Sequence, residues 1–442
     1  MTASTSWRAL AVGAISALAV ATASAAQDNP VSADWVAEQA AAVQPQVVAW
    51  RRDLHQNPEL GNAEHRTAGI VAAHLRDLGM EVRTGVAQTG VVGVLRGARP
   101  GPTVALRADM DALPVREATG LPFASTATGT YLGETVPVAH ACGHDSHVAM
   151  LMGAAQILAG LRDQLAGTIV FVFQPAEEGS PPGEDGGADL MIAEGALADP
   201  RPEAIFGLHV VPGAPGTIFY RPQGFMAASD RVDITLHGRQ THGAWPWKGV
   251  DVVAAAAQVI GTVNTLTART VDPTTTPTVF TIATVDAGVR YNIIPDSVAM
   301  SGTLRTFDVA QRDALVERAE AAIGHVAQAH GATAEVSVVQ NAPLVFNDPA
   351  LSAWLAPVLI EAAGEGNVDP ATPPTTVAED FSYYQREIPG VFWHLGGSAD
   401  GVDPATSPPN HSPAFDVNER VMELGVRAHV LTAVRFLERG AS

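Results

Sequence analysis

The chain has 442 residues, 47% of them hydrophobic and 16% charged, a globular composition long enough for more than one hydrophobic core. Asp and Glu number 46 against 26 Lys and Arg, a formal net charge of −20. A surface of that sign repels nucleic acid and anionic membranes, so neither is an expected partner.

Residues 1–26 read as a secretory signal peptide. Arg8 supplies a weakly positive start, ALAVGAISALAVA a short apolar run, and Ala23-Ser24-Ala25 a small-residue cleavage pattern. The run is shorter than the roughly 20 residues of a membrane span. The expectation is cleavage near Ala25-Ala26, release into the periplasm or medium, and no membrane attachment afterwards.

Residues 32–50 have helical spacing, with Ser32 as the N-cap. Residues 64–78 form a second helix that carries Ile70, Val71, Leu75 and Leu78 on one face and stops at Gly79. VVGVL (91–95) and TVALRA (103–108) read as buried strands, residues 144–161 as a helix, and TIVFVF (168–173) and AIFGLHV (204–210) as further strands. Strands alternating with helices predict an α/β sheet covered on both faces. The middle of the chain changes character. Strands at 230–238, 278–285, 298–307 and 332–340 and helices at 251–266 and 309–329 follow the order β-α-β-β-α-β, a ferredoxin-like unit. A strand at 391–397 and a helix at 418–437 then resume the first pattern. The predicted organisation is a discontinuous α/β domain, 27–222 and 341–442, interrupted by a smaller α+β domain, 223–340.

Ligand-type residues collect just after the strands. ALRADMDALP carries Asp109 and Asp111, HACGHDSH carries Cys142 and His144, FQPAEEG carries Glu177 and Glu178, and GLHV carries His209. Sites in α/β sheets gather beyond the carboxyl ends of strands. Cys142 is the chain's single cysteine, so it has no partner for an internal disulfide. It is either a buried thiol beside a surface histidine or a thiolate that grips a metal together with His144, two positions on, across a turn that Gly143 permits. Glu177-Glu178 is either a solvated acidic pair or one metal-directed carboxylate and one free to move a proton. His209 and His411 are unremarkable by spacing alone.

Together, HQNPELGNAEHRT, ALRADMDALP, HACGHD, FQPAEEG, GLHV, NIIPD with GTLR, AEDFSYY and FWHLGG resemble, in this order, the zinc-dependent amidohydrolases that include hippurate hydrolase, auxin-conjugate hydrolases and N-acyl amino acid amidohydrolases, relatives of aminoacylase and glutamate carboxypeptidase. The resemblance covers roughly residue 45 to the end. It implies an α/β two-domain metallopeptidase, with an α/β/α catalytic domain interrupted by a ferredoxin-like lid and dimerisation domain. It implies two divalent metal ions per subunit, zinc first, with manganese, cobalt or nickel as alternatives. Cys142 becomes the bridging ligand, His144 and Glu178 ligands of one ion, and His209 and His411 ligands of the other. Glu177 becomes the general base and Asp111 the carboxylate that orients a ligand. In the inserted domain, His242 matches the histidine that stabilises the oxyanion, Asn292 a contact to the substrate carboxylate, and Arg290 a neighbouring contact.

Three stretches depart from the family pattern. GRQTHGAWPWKGVD has less glycine before His242 and Trp247 where a histidine is expected, so Trp245 and Trp247 are candidate contacts to a bulky acyl group. GSPPGEDGGADLM after the glutamate pair is a long loop that would narrow one wall of the pocket. His411 is followed by SPAFD where a more basic sequence is expected. The expected activity is hydrolysis of N-acyl amino acids by an exported homodimer. A dipeptidase or carboxypeptidase with the same chemistry is the alternative within enzymes, and a non-catalytic exported binding protein the alternative outside them.

Overall fold

The computed structural model describes residues 1–2, 31–273 and 276–439. The signal-peptide expectation therefore falls almost wholly outside the described residues. No helix among the described residues is long and apolar enough to cross a membrane.

An eight-stranded sheet organises the larger part of the chain. Its centre consists of four parallel strands, Ala166–Gln174, Arg99–Asp109, Ala204–Val211 and Gly390–Gly396, in that spatial order. Gly90–Arg96 and Glu81–Val86 extend one side antiparallel. The centre is buried on both faces, which is why these strands read as continuous apolar runs. Alternation along Arg99–Asp109 shows the two layers. Val104, Leu106 and Ala108 enter the larger core, beneath helices Ala33–Gln56, His144–Gly160 and Met422–Glu438. Ala105 enters a second core on the opposite face with Phe381 and Phe392. Ser32 caps the first helix by accepting from the Trp35 N–H at 3.2 Å, and that helix runs to Gln56, six residues past the predicted end.

The segment Ala228–Ala342 holds the second unit. A four-stranded antiparallel sheet in the order Val279–Ala287, Ser297–Thr306, Ala228–His237, Thr333–Ala342 packs against helices Val252–Thr270 and Val309–Ala329. Asp251 and Asp308 cap those helices through their carboxylates. The element order is the predicted β-α-β-β-α-β. The fold class is the expected one: a mixed α/β chain of two units, one inserted in the other.

Candidate metal centre and active site

The centre is built from the ends of three strands of the sheet and the first turn of a helix. Strand Arg99–Asp109 delivers Asp109 at its last position and Asp111 just beyond it. Helix His144–Gly160 begins immediately after Gly143, whose φ of 97° is open to glycine at little cost. A Cβ at position 143 would lie 2.5 Å from Val210 Cγ2. The turn therefore sits against strand Ala204–Val211, and this brings Cys142 Sγ to 3.3 Å from His209 Nε2. Strand Ala166–Gln174 leads into Ala176, a buried residue at φ 51°, and then into Glu177 and Glu178. Non-glycine residues with positive φ persist where surrounding structure imposes them. Here the constraint is visible: Glu64 accepts the Ala176 N–H at 2.9 Å, and Asp111 accepts those of Glu177 and Glu178 at 3.1 and 3.0 Å.

Two ligand-type groups share His144. Cys142, His144 and Glu178 offer donor atoms within 4.8 Å of one another, as do Asp109, His144, His147 and His209. Asp111 Oδ1 lies 3.2 Å from His144 Nδ1 and fixes the ring, leaving His144 Nε2 buried without a hydrogen-bond partner. His411 reaches Glu178 Oε1 from Nε2 at 2.9 Å, with its side chain half exposed at the rim. Its backbone, at φ 68°, donates to Ala141 O at 2.7 Å, while Asn410 Nδ2 donates to Cys142 O and Val210 O at 3.0 and 3.2 Å. The proline-rich loop is thus tied to the cysteine turn by backbone and amide contacts. No sequence spacing discloses them.

The electrostatics suit a bound cation. Burial and the carboxylates of Glu178 and Glu177 push the Cys142 thiol well above its usual value. Burial lowers His144, but Asp109 and Asp111 outweigh it and raise the ring to about 10. Burial, Glu379 and Glu178 together hold Glu177 well above the ordinary carboxylate range. A thiol crowded by carboxylates, next to an imidazole nitrogen without a hydrogen-bond partner, is a donor set that suits a divalent cation. The residues present fit such an ion.

Several partners escaped sequence reasoning. His147 lies 2.5 Å from Asp109 through Nδ1, and its Nε2 accepts the Val210 N–H at 2.9 Å. Arg107 is fully buried and donates to Asp109, Gln174, Glu379 and Asp380. Glu177, Glu379 and Asp380 form a third close group. Arg51 and His55 hold Asp145, one residue past His144, at 2.9 and 2.8 Å. The residues expected from the inserted unit stand apart. His242 and Asn292 adjoin on a short ribbon, Thr241–His242 paired with Ile293–Ile294, and Arg290 lies exposed beside it. Among the described residues no hydrogen bond or ion pair links these three to the ligand groups.

Comparison with known proteins decides the family. Residues 105–435 match the model of peptidase family M20/M25/M40. The chain belongs to that family. Thermostable carboxypeptidase 2 of Saccharolobus solfataricus is 38% identical over 393 residues, 88% of this chain and 95% of its own. IAA-amino acid hydrolase ILR1-like 2 of Arabidopsis thaliana is 36% identical over 427 residues, 92% of each chain. Among solved structures, the Bacillus subtilis YXEP protein, a dinuclear metal binding peptidase of the M20 family, superposes with a TM-score of 0.74 at 32% identity, covering 90% of this chain and 99% of that one. Membership makes this M20 chain a metal-dependent amide hydrolase, and its buried histidine and aspartate group is compatible with divalent-metal binding.

Proposed function

We propose that the chain hydrolyses the amide bond of N-acyl amino acids, releasing a carboxylic acid and a free amino acid. The observation that carries the reading is the position of Glu177. It is a carboxylate fixed through its own backbone by Asp111, 3.8 Å from the unpartnered Nε2 of His144, on a strained turn beside the ligand groups. The IAA-amino acid hydrolase resemblance over 92% of both chains favours an acylated amino acid as substrate.

Cys142, His144, Glu178, His209 and His411 would hold two divalent ions, zinc first given the cysteine and histidine donors. Bound ions of that kind polarise an amide carbonyl and acidify water. Asp111 sets the His144 ring and the Glu177-Glu178 backbone. Glu177 takes the proton of the attacking water and returns it to the leaving nitrogen. His242 Nδ1 accepts the Ala244 N–H at 3.0 Å. The neutral ring therefore carries its proton on Nε2, a donor available to an oxyanion when the lid closes. Asn292 would meet the substrate carboxylate, with Arg290 nearby. We further propose a homodimer assembled through the lid, and export directed by residues 1–26. The N-terminus of the protein recovered from fractionated cells tests the second: a chain beginning near Ala26 or Gln27 outside the cytoplasm supports export, and an intact Met1 inside it rejects export.

A carboxypeptidase reading draws on the Saccharolobus relative. Release of amino acid from N-benzoylglycine and other N-acyl amino acids, measured beside simple dipeptides, separates the two. Faster cleavage of the acylated panel supports the proposal. Cleavage confined to dipeptides replaces it with the alternative.

A further inference from the structure

A cavity of about 750 Å³ adjoins the site, with Asp111 and Glu178 in its wall. Every other wall is continuous in sequence with a segment that carries the site. Residues 58–63 precede Glu64, 111–114 contain Asp111, 128–138 run into Cys142, and 178–184 follow Glu177. The apolar lining comes from Leu60, Leu113, Tyr131, Leu132, Val138 and the Pro181-Pro182 pair. Tyr131 and Leu132 form the tip of a hairpin, Thr128–Tyr131 paired with Glu134–Pro137. Its base packs on Leu60, since a Cβ at Gly129 would lie 2.9 Å from Leu60 Cδ1.

Leu132 stands out. It is 68% exposed and holds φ 53°, a conformation that suits glycine or asparagine and strains leucine. The positive φ belongs to the two-residue hairpin turn, where Gly133 at φ 80° shares it; the exposed apolar side chain nevertheless stands at the lip of a cavity with Asp111 and Glu178 in its wall, where a ligand would meet it. The lining contains no Lys, Arg or His, and its carboxylates are already engaged. Glu59 accepts from the backbone of Arg66 and Thr67, and Glu184 from Asn62. The cavity thus offers no side-chain cation to the carboxylate end of an acylated amino acid and suits its neutral end.

We propose that this cavity is the acyl subsite and that it selects bulky, apolar acyl groups, with Leu132 and Tyr131 as its specificity-determining lip. The proposal rests on the reading of the substrate as an N-acyl amino acid. Its size admits an aromatic ring system, within the range of small-molecule pockets.

The test compares wild type with Leu132→Asn and, as a second variant, Tyr131→Ser, all metal-loaded. For N-(2-naphthoyl)glycine against N-acetylglycine, the ratio of kcat/KM is expected to fall at least about tenfold in each variant, the usual scale for lost apolar contact in a pocket. The Tm of Leu132→Asn is expected to equal or exceed that of wild type, because asparagine tolerates the backbone. A merely structural leucine would show the reverse. Binding of 2-acetonaphthone, an uncharged ketone that cannot be hydrolysed, is followed by fluorescence in the same proteins. It is expected to saturate in wild type and to weaken at least about tenfold in both variants. If the enzyme cleaves both acyl substrates, an unchanged ratio overturns the subsite. If it cleaves neither, the substrate reading fails on its own, and the ketone decides the subsite: weakened binding in the variants upholds it, and equal or absent binding overturns it.

Discussion

Glu177 and Asp111 do different work, and their variants should fail differently. Replacing Glu177 by Gln keeps size and backbone contacts but removes the carboxylate proposed to accept the proton. The expected result is a loss of about 10²–10⁴ in kcat with metal content per chain unchanged by elemental analysis. Asp111 orients His144 and accepts two backbone N–H groups. Asp111→Ala should weaken metal binding by roughly 10–100-fold, seen as ion loss at low free metal before activity is assayed. A Glu177→Gln protein with normal turnover would remove Glu177 from the mechanism. At this scale the sequence was informative where chemistry is local. Cys142-Gly143-His144 and Glu177-Glu178 announce themselves because ligand and base adjoin in the chain. Arg107, His147, Glu379 and Glu64 do not, since each has partners that only the folded chain brings near. Arg107 and Glu379 are 272 positions apart yet 3.0 Å in space.

The helices carry the site through their ends. Gly143 precedes helix His144–Gly160 at φ 97°, against Val210. Gly143→Ala should cost at least ~1–2 kcal/mol in denaturant unfolding from the left-handed backbone alone, and should also reduce bound metal. A stable, fully metallated alanine variant would contradict the close packing described. Helix Ala33–Gln56 is pinned to the same end by His55 and Arg51 on Asp145. Burial lowers His55, but Asp145 outweighs it and lifts the ring to about 9 from an ordinary 6.5. A raised folded-state pKa gives stability that is fully present below about pH 6.5 and is lost as pH rises through about 9. His55→Gln should therefore be less stable than wild type at pH 6, by at most roughly 3 kcal/mol, with the gap closing by pH 9.5. A gap independent of pH would assign His55 a packing role only. Element types were legible in the long, fully buried strands and in capped helices. The hairpin Thr128–Pro137 was not: TGTYLGETVP has no apolar stripe, because its side chains face a cleft and solvent rather than a core.

At the scale of the molecule, two units divide the labour. The larger sheet fixes the metal centre, and the inserted unit carries His242 and Asn292 on a separate ribbon. Strand Val279–Ala287 is the outer edge of the inserted sheet, with Val279 and Val285 exposed on it and Val289 and Tyr291 almost fully exposed just beyond. An open apolar edge of this kind invites pairing with another strand. Light scattering on the purified protein should give twice the 45.9 kDa chain mass, less any cleaved leader, and Val285→Lys should shift it toward the monomer. A monomeric wild type would remove the lid-mediated dimer. Most directly, the account rests on metal-dependent amide hydrolysis at the Cys142 centre. The decisive measurement is turnover of N-benzoylglycine by the full-length enzyme before chelation, after exhaustive chelation and after re-addition of zinc or manganese, with bound metal quantified at each stage. The account predicts activity that disappears with the ions and returns with them, and a Cys142→Ser protein that neither holds the ions nor recovers. Undiminished hydrolysis by protein shown to be metal-free would contradict it.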